Sequence, residues 1–107
     1  MTKPRAKVLK EAVRRVLETA RPSRIILFGS AATGRMKSGS DIDLLVLEKK
    51  PADVRKESVR IGDALRGLGI PFDVIVMSED RFEATKDLVG GIAYPASRYG
   101  KVLYAAA

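Results

Sequence analysis

The chain has 107 residues, which is enough for one small α/β domain and too few for two. Apolar residues make up 46% of the chain and can form a single core. The chain has no cysteine or histidine, which excludes disulfides, thiolate metal sites and imidazole bases. A net charge of +7 favours polyphosphate, RNA or an acidic protein surface as a partner, or equally well reflects solvated basic helix faces. Any catalysis therefore depends on carboxylates, hydroxyls, basic side chains and bound metal.

The sequence carries no sign of a membrane span or an export signal. No run approaches the roughly 20 apolar residues that a bilayer crossing needs, and the basic segment 1–10 lacks an apolar signal core. Because cysteine is absent, a cytoplasmic location is expected. Without an internal repeat or linker, we predict one domain over residues 1–104, with 105–107 as a tail or cloning remnant.

The first part of the chain predicts a helix, a strand and a short turn. Apolar residues recur at helical spacing over 6–20 and predict an amphipathic helix that Pro22 ends. The apolar run 24–28 predicts a buried strand closed by Gly29. Small polar residues follow, so we expect a single helical turn and a loop over 30–40.

The rest of the chain alternates strands with helical patterns. The run 41–48 predicts a second buried strand, and apolar spacing predicts a helix that begins at Pro51 and reaches Gly69. The patterns then predict a third strand over 70–77 and an edge strand over 100–104. Between them they predict a helical region that Ser78 caps and that is broken at Gly90, Gly91 and Pro95. Together they predict an α/β fold with a mixed sheet of three or four strands and helices packed mainly on one face.

Polar features border all three of the first strands. Gly29 and Ser30 follow the first strand, Asp41 and Asp43 open the second, and Asp73 opens the third. Residues two apart in a strand point to one face, so Asp41 and Asp43 share a face. The helix between strands two and three is a crossover, which favours parallel strands with adjacent starting ends. The short loop before strand two favours an antiparallel first strand, which brings all three features to one edge.

Three carboxylates at one edge repel one another unless a cation neutralises them. Oxygen ligands suit Mg²⁺ or Mn²⁺, and two such ions can clamp the attacking and leaving oxygens of a phosphoryl displacement. Gly29 lets a phosphate approach the backbone, and Ser30 offers its hydroxyl and nearby N–H groups to phosphates. Each motif alone is more often a turn or a pair of solvated carboxylates, but their combination at strand ends favours metal-dependent transfer of a nucleoside monophosphate.

These motifs also resemble a known family signature. This chain resembles the DNA polymerase β-type nucleotidyltransferase superfamily in its signature motif. The motif here is Leu27-Phe28-Gly29-Ser30, followed after ten residues by Asp41-Ile42-Asp43-Leu44-Leu45-Val46. The third carboxylate of the pattern matches Asp73. The small size and the ending Gly100-Lys101-Val102-Leu103-Tyr104 are similar to the minimal nucleotidyltransferase (MNT) branch. The resemblance extends over 24–104 and implies a polymerase β palm-like fold.

The resemblance implies a role for each residue of the motif. Asp41 and Asp43 would hold two Mg²⁺ ions, and Asp73 would ligate one of them. Asp73 would also help to deprotonate the acceptor hydroxyl. Gly29 and Ser30 would bind the β- and γ-phosphates of ATP or another NTP.

The loop after the first strand departs from the family pattern at one position. Many relatives carry an arginine just before the glycine that corresponds to Gly34, where this chain has Thr33. Arg35 or Lys37 is expected to supply that charge, with Arg35 as the candidate phosphate ligand. The pattern thus supports metal binding more directly than phosphate binding.

Members of the MNT branch are often antitoxins that attach AMP to a tyrosine of a HEPN-type ribonuclease toxin. The resemblance therefore implies ATP as the donor, a toxin as the acceptor and a hetero-oligomer as the assembly. Two alternatives stay open on the sequence: an RNA-directed nucleotidyltransferase, which the basic charge permits, and an antitoxin that acts by binding alone. Substitution of Asp41 and Asp43 separates the last alternative from an enzyme, because binding alone does not require the carboxylates.

Overall fold

The computed structural model describes residues 6–37 and 39–106. Its strands are β1 (Arg24–Phe28), β2 (Ile42–Glu48), β3 (Phe72–Ser78) and β4 (Lys101–Ala105). Its helices are α1 (Ala6–Thr19), α2 (Ser30–Thr33), α3 (Val54–Ala64), α4 (Glu79–Thr85) and α5 (Ala93–Tyr99). None of the helices in the described ranges has the length and apolar character that a bilayer crossing requires.

The strands form one mixed sheet in the order β3-β2-β1-β4. β1 runs antiparallel to β2 and to β4, while β2 and β3 are parallel and joined by the crossover helix α3. The predicted α/β class and mixed strand directions are therefore confirmed. The apolar run of β2 explains its central place, because Ile42, Leu44, Leu45, Val46 and Leu47 are all fully buried.

Helices cover both faces of the sheet, though unequally. The two longest helices, α1 and α3, lie on one face with α2, where Val16 and Ile61 pack on alternate residues of the strands. The short helices α4 and α5 cover the other face through Phe82, Ala93 and Ala96. The predicted concentration of helices on one face holds for the longer helices, and the second face receives a thinner cover.

The middle helix is shorter than predicted at both ends. Asp53, which was expected inside the helix, is instead its N-cap, since its carboxylate accepts hydrogen bonds at 3.1 Å from the N–H groups of Arg55 and Lys56. The helix therefore begins three residues after Pro51. It ends at Ala64 rather than at Gly69, and the following turns lead directly into β3.

The predicted break at Pro95 is wrong. α5 runs through Pro95, which occupies the first helical turn, where a backbone N–H has no partner within the helix. Proline therefore removes no hydrogen bond there. The break predicted at Gly90 and Gly91 is correct, because these residues lie between α4 and α5.

The last strand extends beyond the predicted end at Tyr104. Ala105 pairs with Arg24 in the register of β4 with β1. The Ala106 N–H donates to the Ser23 carbonyl at 2.8 Å. Ala105 therefore belongs to the sheet and Ala106 is held beside it by one hydrogen bond, whereas Ala107 lies outside the described residues.

Candidate active site

Gly29 makes the turn from β1 into α2 and lies against the carboxylate of Asp43. Its backbone angles, φ 72° and ψ −153°, belong to a region that is essentially restricted to glycine. A Cβ at this position would collide with Asp43 Oδ2 and would lie 3.2 Å from Asp43 Cγ. The sequence analysis explained this glycine by the approach of a phosphate. The structure adds that any side chain here would strain the backbone and would require the Asp43 carboxylate to move.

The register of the sheet brings the carboxylates to one edge. Asp43 lies between Phe28 on β1 and Asp73 on β3. Because directly paired residues share a face, Asp43 and Asp73 project from the face that the short helices cover. At this end the cover is incomplete, since Asp43 is only half-buried and Asp41 and Asp73 are exposed.

The negative charge at this end of the sheet has no ion-pair partner among the residues that the structure describes. The pKa of Asp43 is raised above its ordinary value, first by burial and then by the charges of Asp73 and Asp41. In the described part of the chain, none of the three carboxylates forms an ion pair with a basic side chain. A ligand that brings positive charge is therefore electrostatically favoured here.

The donor chemistry at this edge suits a hard divalent cation. The candidate ligands are carboxylate oxygens only, which Mg²⁺ and Mn²⁺ prefer over the heavier transition metals. Within the described residues, no three acidic side chains converge closely enough to hold a cation by themselves. Magnesium usually keeps waters and takes substrate phosphates as further ligands, so an open arrangement of aspartates fits it better than a closed cage does.

The short helix α2 orders the loop beside Gly29. Ser30 is its first residue and is half-buried, and its carbonyl accepts a hydrogen bond from the Arg35 N–H at 2.9 Å. Gly34 ends the helix in the left-handed conformation, with φ 75°. The Thr33 hydroxyl donates to the Gly29 carbonyl at 3.3 Å. Thr33, which stands where many relatives carry arginine, thus stabilises the turn itself.

Two basic side chains follow this turn. Arg35 and Lys37 are both exposed. Neither forms an ion pair with a carboxylate of the described residues. Both are therefore free to turn towards an anionic ligand that binds beside Gly29.

A groove beside Asp73 was not predicted from the sequence. It has a volume of about 750 Å³ and lies between α3, the turns after it and β3. Asp73 is among its lining residues, together with Gly62, Gly67, Gly69 and Phe72. The three closely spaced glycines before the third strand were the signal in the sequence, since they leave this surface without side chains.

Comparison with protein families gives one match. Residues 6–94 match the family described as "Nucleotidyltransferase domain". That range contains the turn at Gly29 and Ser30 and the three aspartates at the edge of the sheet. No curated protein sequence matches the chain significantly.

Solved structures match over most of the chain. A candidate nucleotidyltransferase from Sulfolobus solfataricus is 24% identical, with a TM-score of 0.64 over 92% of this chain and 78% of the other. A toxin–antitoxin structure with AMP-PNP is 19% identical, with a TM-score of 0.60 over 92% of this chain and 73% of the other. At these identities, the likeness establishes a shared fold.

Proposed function

The chain belongs to the nucleotidyltransferase domain family, and from this premise we propose that it is a magnesium-dependent enzyme that transfers AMP from ATP to a hydroxyl of a partner protein. The observation that carries the proposal is the negative charge of Asp41, Asp43 and Asp73 at one end of the sheet beside Gly29, which no basic side chain of the described residues balances. Negative charge that the protein leaves unbalanced at a glycine turn suits a metal-bound triphosphate.

Each residue of the site has a role in the proposed reaction. Asp41, Asp43 and Asp73 would hold two Mg²⁺ ions, for which Mn²⁺ can substitute, and the metal would supply Lewis-acid stabilisation of charge on the phosphates. The remaining ligands of the triphosphate are proposed at Gly29, Ser30 and Arg35. Gly29 is included because it has no side chain to obstruct a phosphate, and Arg35 because it is exposed and has no carboxylate partner among the described residues.

The transfer is an in-line displacement at the α-phosphorus. The acceptor oxygen forms a bond to this phosphorus while the bond to the oxygen of the β-phosphate breaks, and pyrophosphate leaves with the electron pair. The hydroxyl proton passes to the carboxylate of Asp73 and then to water. Asp73 suits this task because it is exposed at the edge of the sheet, where an acceptor can reach it.

The acceptor in this proposal is a tyrosine of a HEPN-type toxin, which the chain would neutralise as an antitoxin in a hetero-oligomer. Two observations support a partner protein. The chain shares its fold with a structure described as a toxin–antitoxin with AMP-PNP. In addition, the carboxylate edge is open, with Asp41 and Asp73 exposed, so a macromolecule can approach it.

The test measures transfer of label from ATP that is radioactive at the α-phosphate. The purified chain is incubated with Mg²⁺ and a lysate of the source organism, beside Asp41→Asn/Asp43→Asn and a control, Asp80→Asn, whose exposed aspartate lies in the first turn of α4, directly after the opposite end of β3. We expect a labelled protein with the wild type and the control only. Label that a ribonuclease removes would identify an RNA acceptor instead, and partner binding without any transfer would identify an antitoxin that acts by binding alone.

A further inference from the structure

We propose that the outer edge of β3, at Phe72 and Val74, binds an extended segment of the partner protein and presents a hydroxyl side chain to Asp73. The inference rests on the proposed transfer to a protein hydroxyl and assigns the surface that receives it. That surface is the groove between α3 and β3, of which Asp73 is a lining residue.

β3 is an edge strand, and over a short stretch its outer backbone groups have no hydrogen-bond partner among residues 6–37 and 39–106. The Val76 N–H donates to Ser58 Oγ at 3.0 Å, so it points away from β2. Backbone groups alternate in direction along a strand, so those of Phe72 and Val74 also point outwards. At Val76 the outward N–H is already occupied by Ser58. The backbone groups that remain for a partner are therefore those of Phe72 and Val74, on either side of Asp73.

Strand pairing at this edge places the acceptor correctly. A residue paired directly with Asp73 points its side chain to the same face as the Asp73 carboxylate. The two Cβ atoms of such a pair lie about 5 Å apart, which is within reach of a tyrosine, serine or threonine hydroxyl. The two neighbouring residues of the segment would bond to the backbone of Phe72 and Val74 and would point their side chains towards α3.

The groove on the α3 side can receive those side chains. Val59 is 60% exposed and Phe72 is half-buried, and both line the groove with Ile70. Gly62 leaves space between them, because a Cβ there would meet no atom within 4 Å. An apolar wall beside open backbone groups suits a polypeptide.

The charges of the groove do not suit a nucleic acid. Arg66 is the only basic residue among those that line it, and it pairs with Asp63 at 3.1 Å. The groove therefore offers no unpaired basic side chain among its lining residues, although the whole chain carries a net charge of +7. A nucleic acid binds mainly through basic side chains on its phosphates, whereas a polypeptide segment does not require them.

Gly62 provides a variant that obstructs the groove without disturbing the fold. It lies inside α3, so replacement by alanine or leucine improves helix propensity. Gly62→Leu fills space that the segment requires, and Gly62→Ala fills less of it. Gly91→Leu is the matched control, since its Cβ also meets no atom within 4 Å and it is not part of the groove.

The experiment uses pooled blocked nonapeptides with a central tyrosine and random flanks, and a second pool with N-methyl groups on both neighbours of the tyrosine. Labelled ATP and Mg²⁺ are added with wild type or variant, and oligouridine RNA serves as the alternative acceptor. We expect the wild type to label the first pool, and Gly62→Leu or N-methylation to lower the rate by about tenfold or more. Gly62→Ala should have a smaller effect and Gly91→Leu none.

In addition, the first pool should shift the amide resonances of Phe72 and Val74 in wild type but not in Gly62→Leu.

Other outcomes separate this inference from the proposed function. Equal labelling of the two pools, equal rates in wild type and Gly62→Leu, or labelling of RNA instead of peptide would overturn the β3-edge surface. Absence of peptide labelling, while transfer in the lysate still requires Asp41 and Asp43, would also overturn it and leave the enzyme intact. Absence of transfer in both assays would overturn both proposals.

Discussion

Two groups of acidic side chains, at opposite ends of the sheet, differ in whether they contact a basic residue. At the end where β1 begins, Arg24 contacts Glu79 at 3.2 Å and Glu83 at 3.4 Å. The Ser23 hydroxyl also donates to Glu79, and this hydrogen bond, followed by Arg24, holds the pKa of Glu79 below its ordinary value. At the opposite end, the pKa of Asp43 is raised.

This contrast supports the proposal that the aspartates beside Gly29 serve a ligand, whereas Arg24 and Glu79 stabilise the fold. The Arg24 guanidinium also lies over the ring of Phe82, 4.9 Å from its centroid, and thereby connects β1 to α4. The aspartates beside Gly29 make no comparable contact in the described residues. An uncompensated cluster costs stability, so its presence at a glycine turn indicates a functional site.

The largest expected effect comes from Asp43→Asn. The rate of transfer should fall by about a thousandfold or more, since a metal ligand is lost. Because the folded state raises the pKa of Asp43, ionisation there opposes folding, and removal of the charge should increase the free energy of unfolding at neutral pH by about 0.5 kcal/mol after solvent screening. Transfer assays and urea unfolding measure the two effects. A loss of stability in Asp43→Asn would contradict the claim that the charge of Asp43 opposes folding.

Gly29→Ala should lower the free energy of unfolding by about 1–3 kcal/mol, because alanine is strained at φ 72°, ψ −153° and its Cβ displaces Asp43. The rate of transfer should fall as well. Gly91→Ala is the control, with an expected change within about 0.5 kcal/mol, since its position is open. Urea denaturation of both variants checks the prediction, and equal effects would show that Gly29 is not strained.

Glu79→Gln tests the paired end and should lower the free energy of unfolding at neutral pH by about 0.5–1 kcal/mol, with transfer unchanged. A lowered pKa in the folded state means that the stabilisation is present above the ordinary value of 4.5 and is lost as the pH falls through the lowered pKa. Wild type and variant should therefore converge in acid. Unfolding measured across this pH range would reveal a constant difference if Glu79 acted by packing alone.

The smallest expected effect concerns Glu48, whose pKa is raised to about 7 by burial and by the neighbouring Glu57. The folded state binds the proton of Glu48 more tightly than the unfolded state does, so wild type should lose stability as the pH rises from 4.5 to about 7. Glu48→Gln should remove this loss and be more stable by a few tenths of a kcal/mol at about pH 8. Thermal unfolding of both proteins at several pH values measures this difference in stability. If Glu48→Gln stabilised the protein more in acid than at about pH 8, the raised pKa of Glu48 would not be its cause.

Most of the fold was predictable because its signals are local. The apolar run of β2 and the short loop before it predicted a central strand antiparallel to β1, and the crossover predicted parallel β2 and β3. The wrong predictions concern the ends of helices and strands, because a single capping side chain or pairing with a distant strand determines where an element begins or ends. Asp53 caps α3 in place of Pro51, and Ala105 is ordered by its pairing with Arg24.

For the candidate site, the sequence predicted that Gly29, Asp41, Asp43 and Asp73 lie together, and the structure pairs Asp43 with Asp73 and places Gly29 against Asp43. The assignment of these residues as a site, and their roles in it, stay predictions. The groove beside Asp73 was not predicted, because its wall comes from α3 and its end is set by the hydrogen bond between Ser58 and Val76. These residues belong to different elements, and no local pattern connects them.

By itself, the sequence determined the α/β class, the order of the elements and which residue types stand at the strand ends, since hydrophobic periodicity and spacing act over short distances. Only the tertiary structure decided that Gly29 lies against Asp43, that Arg24 pairs with Glu79, and that Ser58 occupies the outer edge of β3 at Val76. The physical reason is the same in each case. Electrostatic balance and edge pairing depend on contacts between residues far apart in the chain.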